Sequence, residues 1–341
     1  MHMADALISP VVGAAMTAAS ACVTAYSVKK VQHDLDDKKV PLMGVMGAFV
    51  FASQMINFSI PGTGSSGHLG GGMLLAILLG PHAGFLTMAS ILLIQALFFG
   101  DGGLLAYGCN VFNLGFYTCF VSYPLIFKRM TQKGFTTGRI VGASIVSSVI
   151  GLQMGAFSVV LQTLLSGKTE LPFGSFVLLM QPIHLAIGIV EGLVTAVVVT
   201  FVWKVRPEIL DNTVTGKTSG KTSIKTIVTV FLIAALVIGG FVSWFASSNP
   251  DGLEWSMERT AGTAELEAPD SVLHNVLAAI QDKTAFLPDY SFKTEADAEA
   301  TGYTGTSVSG IVGGGLTLAL AGLIGLIIYA VKKRKPRTDE E

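Results

Sequence analysis

The chain has 341 residues, of which 51% are hydrophobic and only 13% are charged. Because soluble domains carry about 25% charged residues, this composition excludes an ordinary soluble protein and indicates a polytopic membrane protein. The formal net charge of −1 conceals a strong segregation of charge along the chain, and no nucleic-acid partner is expected.

The first ten residues, MHMADALISP, contain a histidine at position 2 and no lysine or arginine. A secretory signal peptide begins with a positively charged region, which this stretch lacks. We therefore expect the N-terminus to be retained and to lead directly into the first membrane helix.

Seven apolar stretches approach or exceed the roughly 20 residues that a membrane-spanning helix needs. They are residues 6–28, 41–58, 106–127, 140–165, 175–203, 226–246 and 309–331. A further stretch, 70–99, is apolar throughout but is interrupted by LLGPHAG at 78–84, where proline and glycine favour a helix end.

The distribution of lysine and arginine resolves the stretch 70–99. Basic residues concentrate in cytoplasmic loops, and all but four of the 22 here fall into four groups. These groups lie at 29–39, 128–139, 204–225 and 332–337. If the first two groups are both cytoplasmic, an even number of crossings joins them. We therefore predict two helices, 70–80 and 83–99, hinged at Pro81.

The predicted fold class is all-α and polytopic, in the cell (inner or plasma) membrane. A seven-helix domain (1–205) is followed by a cytoplasmic linker (206–225) and a second domain (226–341). In the second domain two further transmembrane helices flank an external segment, 247–308, which carries 11 of the 23 acidic residues. The charge pattern predicts an N-terminus outside and a C-terminus in the cytoplasm.

The sequence lacks motifs of enzymatic chemistry. GKTSGKT at 216–222 resembles a phosphate-binding loop, but Gly216 and Gly220 are one residue too close together and the stretch follows a membrane helix. There is no H-E-x-x-H zinc motif and no G-x-S-x-G nucleophile elbow. We predict that the protein is not an enzyme and that any ATP-driven work comes from a partner; a membrane enzyme is the weakest alternative.

Two of the six histidines, His2 and His68, are predicted at the outer face. His68 lies in NFSIPGTGSSGHLGGG at 57–72, a loop that is either flexible or folded so that His68 reaches the N-terminus. The amine of Met1, the peptide nitrogen of His2 and an imidazole nitrogen of His2 can close two small chelate rings around one ion. His68 would then supply a fourth nitrogen.

A square set of four nitrogens suits Ni²⁺ or Cu²⁺, whereas Zn²⁺ prefers a tetrahedron and Mg²⁺ and Ca²⁺ prefer oxygen. Co²⁺ lies just below Ni²⁺ in the affinity order of first-row metals, so geometry must discriminate between them. The alternative to the chelate is that a histidine occurs at position 2 by chance.

Seven more residues are candidates for supporting the metal or lining its path, although residues of these types are more often structural. A ligating imidazole usually donates its second nitrogen to an outer partner, and ionisable residues inside a membrane are functional candidates. The candidates are Asn57, Ser65, Ser66, Asn110, Asn113, His184 and Glu191. His184 and Glu191 lie two helical turns apart on one face and could instead form a buried structural pair.

Four stretches together resemble the CbiM/NikM family of substrate-capture components in nickel and cobalt energy-coupling-factor (ECF) transporters. They are MHMADALISP (1–10), GSSGHLGGG (64–72), QPIHLAIGIVEG (181–192) and PDGLEWS (250–256). Residues 226–341 are similar to the two-helix NikN subunit, so the chain resembles a NikMN fusion along nearly its whole length.

This resemblance implies that Met1, His2 and His68 hold the metal in the capture component of an ATP-driven importer. The ion, Ni²⁺ or Co²⁺, is cargo, and no cofactor is implied. The implied partners are a transmembrane ECF coupling subunit and ABC-type ATPase subunits, within the lipid bilayer. Two alternatives stay open: a cobalt importer for cobalamin synthesis, and an ion-coupled secondary metal permease.

Overall fold

The structure, a computed structural model, describes residues 2–34, 39–210, 225–293 and 302–334. Several features of the sequence analysis lie outside these residues. They are the amine of Met1, residues 211–224 of the predicted linker and the basic residues beyond position 334.

The first part of the chain is helical, as its apolar stretches predict. Its helices are α1 (Pro10–Asp34), α2 (Lys39–Gln54), α3 (Gly72–Leu79), α4 (Pro81–Ile94), α5 (Tyr107–Val111), α6 (Lys128–Thr131), α7 (Thr137–Leu165) and α8 (Phe173–Val205). A short 3₁₀ turn, Asp5–Leu7, precedes α1. A π-helical turn, Gln95–Phe99, extends α4, and a long π-helix, Phe112–Phe127, joins α5 to α6.

The second part adds four α-helices within the described residues. They are α9 (Lys225–Gly240), α10 (Gly252–Ala261), α11 (Val272–Thr284) and α12 (Gly302–Arg334). Two 3₁₀ turns, Val242–Phe245 and Pro288–Tyr290, accompany them. α12 contains the predicted helix 309–331, whereas α9 covers most of the predicted helix 226–246 but ends at Gly240. α10 and α11 fall within the segment 247–308.

The all-α polytopic fold class is confirmed. Five helical segments of the described chain are long and apolar enough to cross a bilayer. They are Pro10–His33, Pro81–Phe99, Thr137–Leu165, Phe173–Val205 and Tyr303–Lys333. Val40–Gln54 and Lys225–Gly240 are shorter apolar helices.

The predicted hinge at Pro81 is present. α3 ends at Gly80, whose φ of 85° is in the region that favours glycine, and Pro81 begins α4. α3 is shorter than predicted: its 8 residues rise only about 12 Å, much less than the roughly 30 Å of a bilayer core. All of them are buried, so α3 is an internal half-helix packed against α4.

A β-hairpin contains the only β-strands among the described residues. Strands β1 (Phe58–Ile60) and β2 (Ser65–Gly67) pair antiparallel, with Ser59 opposite Ser66. Gly62 and Gly64 take positive φ in the turn between them, which residues with a Cβ rarely adopt. The loop 57–72 is therefore folded rather than flexible, and His68 follows directly after β2.

The two ends of the helix bundle differ in character. At one end, the Lys332 ammonium donates to the carbonyl oxygen of His33 at 2.8 Å, which brings together two regions that the charge pattern assigns to one side. The opposite end holds His2, the hairpin and residues 100–106, and we name it the site end.

Glycines allow the closest helix contacts of the second domain. At the crossing of α9 and α12, a Cβ on Gly310 would lie 2.3 Å from the carbonyl oxygen of Gly239. Such a contact is backbone against backbone, so no side-chain rotation relieves it. Small residues of this kind let membrane helices approach closely.

We predict that Gly310→Ala destabilises the protein by about 1–3 kcal/mol through overpacking. The matched control is Gly315→Ala in the same helix, where a Cβ would meet no atom within 4 Å. Because alanine favours helix over glycine by about 1 kcal/mol, the control should be neutral or stabilising. Thermal unfolding of both variants in detergent measures the difference, and equal midpoints would contradict the glycine contact.

Candidate metal centre

His2 and His68 meet at the site end, although 66 positions separate them in the sequence. Their imidazole rings stack with centroids 5.0 Å apart and an angle of 4° between the ring planes. Only 6% and 9% of the two side-chain surfaces are exposed. The folded alternative for the His68 loop is therefore the one observed.

The backbone beside His2 is clamped by a predicted residue, Asn110. The Asn110 Oδ1 atom accepts from the Met3 amide at 2.8 Å, and its Nδ2 donates to the Met3 carbonyl oxygen at 3.1 Å. The amide of Gly103 donates to the same oxygen at 2.9 Å. Asn110 thus fixes the extended start of the chain by its backbone, which orients the neighbouring His2.

Asp5 attaches the same segment to the loop after α4. Its Oδ1 accepts from the amides of Leu105 at 2.8 Å and Ala106 at 3.0 Å. Burial raises the pKa of Asp5, and these backbone hydrogen bonds partly offset that shift. A Cβ on Gly103 would collide with the Asp5 carboxylate, so the loop needs glycine at this position.

An aspartate that the sequence analysis did not select, Asp101, contacts His2. Its Oδ1 is 3.1 Å from Nδ1 of His2, and its Oδ2 accepts a short hydrogen bond from the Tyr290 hydroxyl. Burial would raise the pKa of Asp101, but the charge of His2 and these hydrogen bonds together hold it below its usual range. The signal in the sequence is an acid between glycines, in GDGG at 100–103, directly after a predicted membrane helix.

The orientation of the His2 ring differs from that of the predicted chelate. Nδ1 is the ring nitrogen that can close a small chelate ring with the peptide nitrogen of the same histidine, but Nδ1 here faces Asp101. Nε2 is buried and has no hydrogen-bond partner within the described residues. Chelation by Nδ1 therefore requires Nδ1 to leave Asp101.

The hairpin that carries His68 is held by the PDGLEWS stretch. The Ser66 amide donates to the Pro250 carbonyl oxygen at 2.8 Å, and the Ser66 hydroxyl donates to that of Asn249 at 2.8 Å. The Trp255 indole donates to the carbonyl oxygen of Thr63 at 3.0 Å. Ser65 and Ser66, two predicted supporting residues, thus bind backbone of the second domain (Ser65 through a longer contact, 3.5 Å, to Pro250).

Asp251 has two roles at this contact. Its Oδ1 accepts from the amides of Leu253 and Glu254, and Glu254 accepts from the Asp251 amide, which is a capping box at the start of α10. Its Oδ2 lies 3.6 Å from Nε2 of His68. The D-x-x-E spacing is a sequence signal for this cap, although it does not predict the contact with His68.

The His68 ring has a defined orientation. Its Nδ1 is 3.2 Å from the carbonyl oxygen of Leu69, and because a carbonyl only accepts, Nδ1 carries the hydrogen. Burial lowers the pKa of His68, which favours the neutral imidazole. A neutral ring whose second nitrogen donates to a carbonyl is the usual arrangement of a metal-ligating histidine.

Two other predicted supporting residues, Asn57 and Asn113, make hydrogen bonds to the protein around the site. Asn57 contributes its carbonyl oxygen to the Ser247 amide at 2.7 Å. Asn113 exchanges two hydrogen bonds with Gln162 and contacts the sulfur of Met3 at 3.6 Å. Both residues hold structure around the site.

His184 and Glu191 are both buried in α8, and they bond to different partners. Nδ1 of His184 is 2.8 Å from the Met180 carbonyl oxygen. Oε2 of Glu191 accepts from the Gly70 amide at 2.7 Å. The structure thus connects Glu191 to the loop that carries His68, rather than pairing it with His184.

Within the described residues, no three His, Cys, Asp or Glu side chains converge closely enough to hold a metal ion. His2 and His68 supply two imidazoles, and the remaining nitrogens of the predicted chelate belong to the backbone and to Met1, which lies outside the described chain. Side chains by themselves therefore do not complete the candidate centre.

Comparison with known proteins gives matches in both parts of the chain. A family model described as "Cobalt uptake substrate-specific transmembrane region" (CbiM) matches residues 2–209, and a PDGLE domain model matches residues 225–330. A relative from Archaeoglobus fulgidus, named as a fused nickel transport protein NikMN, is 31% identical over 94% of this chain and 96% of its own length.

Two further proteins match large parts of this chain. A relative from Lactiplantibacillus plantarum, named as a fused nickel transport protein LarMN, is 34% identical over 75% of this chain and 78% of its own. A crystal structure of a truncated transition metal transporter superposes with a TM-score of 0.53 at 32% identity, and it covers 60% of this chain and 99% of its own.

We predict that Asp251→Ala and Asp251→Asn separate the two roles of this carboxylate. Alanine removes the helix cap and should cost about 1 kcal/mol of stability, whereas asparagine still caps and should cost a few tenths. Thermal unfolding of the metal-free protein measures this difference.

Both substitutions should also lower the pKa of His68 further, because the Asp251 carboxylate raises it. The His68 ring would then stay neutral to a lower pH than in the unsubstituted protein. NMR titration of the ring proton reports this shift, and an unchanged or raised pKa would show that Asp251 does not act on His68.

Proposed function

Since the chain belongs to the CbiM family of cobalt-uptake substrate-specific transmembrane regions and carries a PDGLE domain, we propose that it captures Ni²⁺ for an ATP-driven importer of the ECF type. The observation that carries the proposal is the stacked pair of His2 and His68 at the site end. Co²⁺ is the closest competing cargo.

The proposed ligands are the amine of Met1, the peptide and imidazole nitrogens of His2 and the Nε2 atom of His68. Support comes from the hydrogen bond that Nδ1 of His68 donates to the Leu69 carbonyl, because Nε2 is then the nitrogen that can bind the metal. Asn110 supports the His2 ligands, because it fixes the backbone of Met3, the residue after His2. The ion enters this set after the His2 ring turns away from Asp101.

Nickel is favoured over cobalt by the chemistry of this ligand set. Four nitrogens in a plane, one of them a peptide nitrogen, suit the square geometry that Ni²⁺ accepts. The relatives that match along most of the chain are named for nickel transport. Cu²⁺ binds similar sets, so a direct comparison of Ni²⁺, Co²⁺ and Cu²⁺ belongs in the first binding experiment.

In this proposal the site end faces outward and the two domains have separate tasks. Residues 1–205 capture the ion, residues 206–225 form a cytoplasmic linker, and residues 226–341 cover the site with their external segment. The acidic character of that segment attracts cations to the entrance. A transmembrane coupling subunit and ATPase subunits supply the energy for release into the cytoplasm.

The test is calorimetric titration of the purified, untagged chain with Ni²⁺, Co²⁺ and Cu²⁺. We expect tight Ni²⁺ binding that His2→Ala, His68→Ala and an acetylated N-terminus each abolish, because each change removes a nitrogen ligand. His33→Ala is the matched control, since His33 is exposed at the opposite end of the bundle.

Two results would count against the proposal. Tight Ni²⁺ binding by the acetylated protein would rule out the amine as a ligand. Uptake of Ni²⁺ by cells that lack the ATPase partner would favour a secondary permease instead, since an ECF component requires ATP hydrolysis by its partners.

Asp101→Asn tests whether the carboxylate beside His2 holds Nδ1 away from the ion. Because the His2 ring leaves Asp101 before Nδ1 binds the ion, we expect this variant to bind Ni²⁺ at least as tightly as a variant that lacks another acid at this end. Asp282→Asn is the control, because it removes an acid from the same site end at an exposed position of α11. Weaker Ni²⁺ binding by Asp101→Asn than by Asp282→Asn would contradict this role of Asp101.

A further inference from the structure

His184 has one ring nitrogen bonded and the other open. It lies inside α8 with 1% of its surface exposed. Nδ1 faces the carbonyl oxygen of Met180 at 2.8 Å, so Nδ1 carries the hydrogen. Nε2 of the neutral ring then presents a lone pair, and it has no hydrogen-bond partner among the described residues. A buried imidazole in this state can act as a metal ligand.

His184 lines a small cavity that also touches the candidate metal centre. The cavity has a volume of about 10 Å³ and is bounded by His68, Asp251 and Gly252, among others. This is close to the space that one water molecule needs. Gly252 allows the close approach, because a Cβ there would lie 3.2 Å from Cε1 of His184.

Glu191 places a carboxylate near the same region. It lies two turns further along α8, is 1% exposed, and uses Oε2 to accept from the Gly70 amide at 2.7 Å. Its Oε1 is buried and has no hydrogen-bond partner in the described part of the chain. Gly70 also lines the cavity, so it connects the carboxylate to the cavity wall.

Resting on the proposed function, we propose that His184 and Glu191 form a second, transient station for the divalent transition metal on its way inward. Nε2 of His184 is the ligand, and the carboxylate of Glu191 supplies negative charge. His68 borders both sites, so it can remain in contact with the ion while the nitrogens of residues 1 and 2 release it.

The small number of protein ligands suits a transit site. An ion in a transport path must bind strongly enough to enter and weakly enough to leave. One imidazole ligand and a nearby carboxylate charge hold a transition metal less firmly than four nitrogen ligands do. The carboxylate offsets the cost of bringing a cation into the membrane interior.

The test compares Ni²⁺ binding by the purified full chain with uptake of radioactive Ni²⁺ by cells that produce the chain and its partner subunits. His184→Asn keeps a donor for the Met180 carbonyl but has no lone-pair nitrogen toward the cavity. Glu191→Gln keeps an acceptor for the Gly70 amide but has no charge. We expect both variants to bind Ni²⁺ within about threefold of the unsubstituted chain and to reduce uptake by at least about tenfold.

Two control variants complete the design. His184→Gln keeps an oxygen acceptor in place of Nε2 and should retain more uptake than His184→Asn. Gln181→Ala removes a partly buried polar group of the same helix, which bonds Gln153 on α7, and should leave uptake unchanged. If Gln181→Ala reduces uptake as strongly as His184→Asn, then any change in α8 impairs uptake, and the proposed second metal station is refuted.

The results separate this inference from the proposed function. Full uptake by His184→Asn and Glu191→Gln would overturn the station and leave the capture site intact. Loss of Ni²⁺ binding by His184→Asn would also overturn it, because His184 would then belong to the capture site or to its structure. Unchanged Ni²⁺ binding by His2→Ala would instead refute the capture site, and the station would fail with it.

Discussion

The contact between the His68 hairpin and residues 249–255 is the constraint on which the rest of the site depends. The hairpin itself is only two short strands, which are marginally stable without further packing. Hydrogen bonds from Ser66 to the backbone of 249–250 and from Trp255 to the turn hold it in place. Asp251 then joins helix capping to the position of His68, so the start of α10 and the imidazole share one carboxylate.

A second contact fixes the His2 side of the site in a similar way. Gln281 donates to the carbonyl oxygens of Ala96 and Gly102, and Tyr290 donates to Asp101, which contacts His2. His274 reaches the carbonyl oxygen of Ile8 beside the start of α1. Residues of the segment 247–308 therefore contact both histidine-bearing regions, so the second part of the chain helps to build the candidate centre.

The glycines around His68 serve close packing more than flexibility. A Cβ on Gly67 would lie 2.5 Å from Ile187, and one on Gly70 would lie 3.0 Å from the carboxylate of Glu191. Gly252 approaches α8 equally closely from the second domain. Because these backbones lie against α8, an imidazole and a carboxylate inside the membrane helix come within reach of the site.

The sequence by itself determined the fold class, the approximate positions of the long apolar helices and the break at Pro81, because helix length and charge segregation depend on local composition and spacing. It selected His2 and His68 from chelate chemistry but left open whether the loop 57–72 folds to bring them together, which the stacking of their rings shows. It did not predict the length of α3, a buried half-helix that begins only at Gly72 because Gly71 takes a positive φ of 75°. Only the tertiary structure showed that Asp101, Tyr290 and Asp251 contact the histidines or their neighbours. It also identified the hydrogen-bond partners of four predicted supporting residues, Ser65, Ser66, Asn110 and Asn113. The physical reason is that hydrogen bonds between residues about 100 to 190 positions apart depend on how the helices pack, which local patterns do not encode.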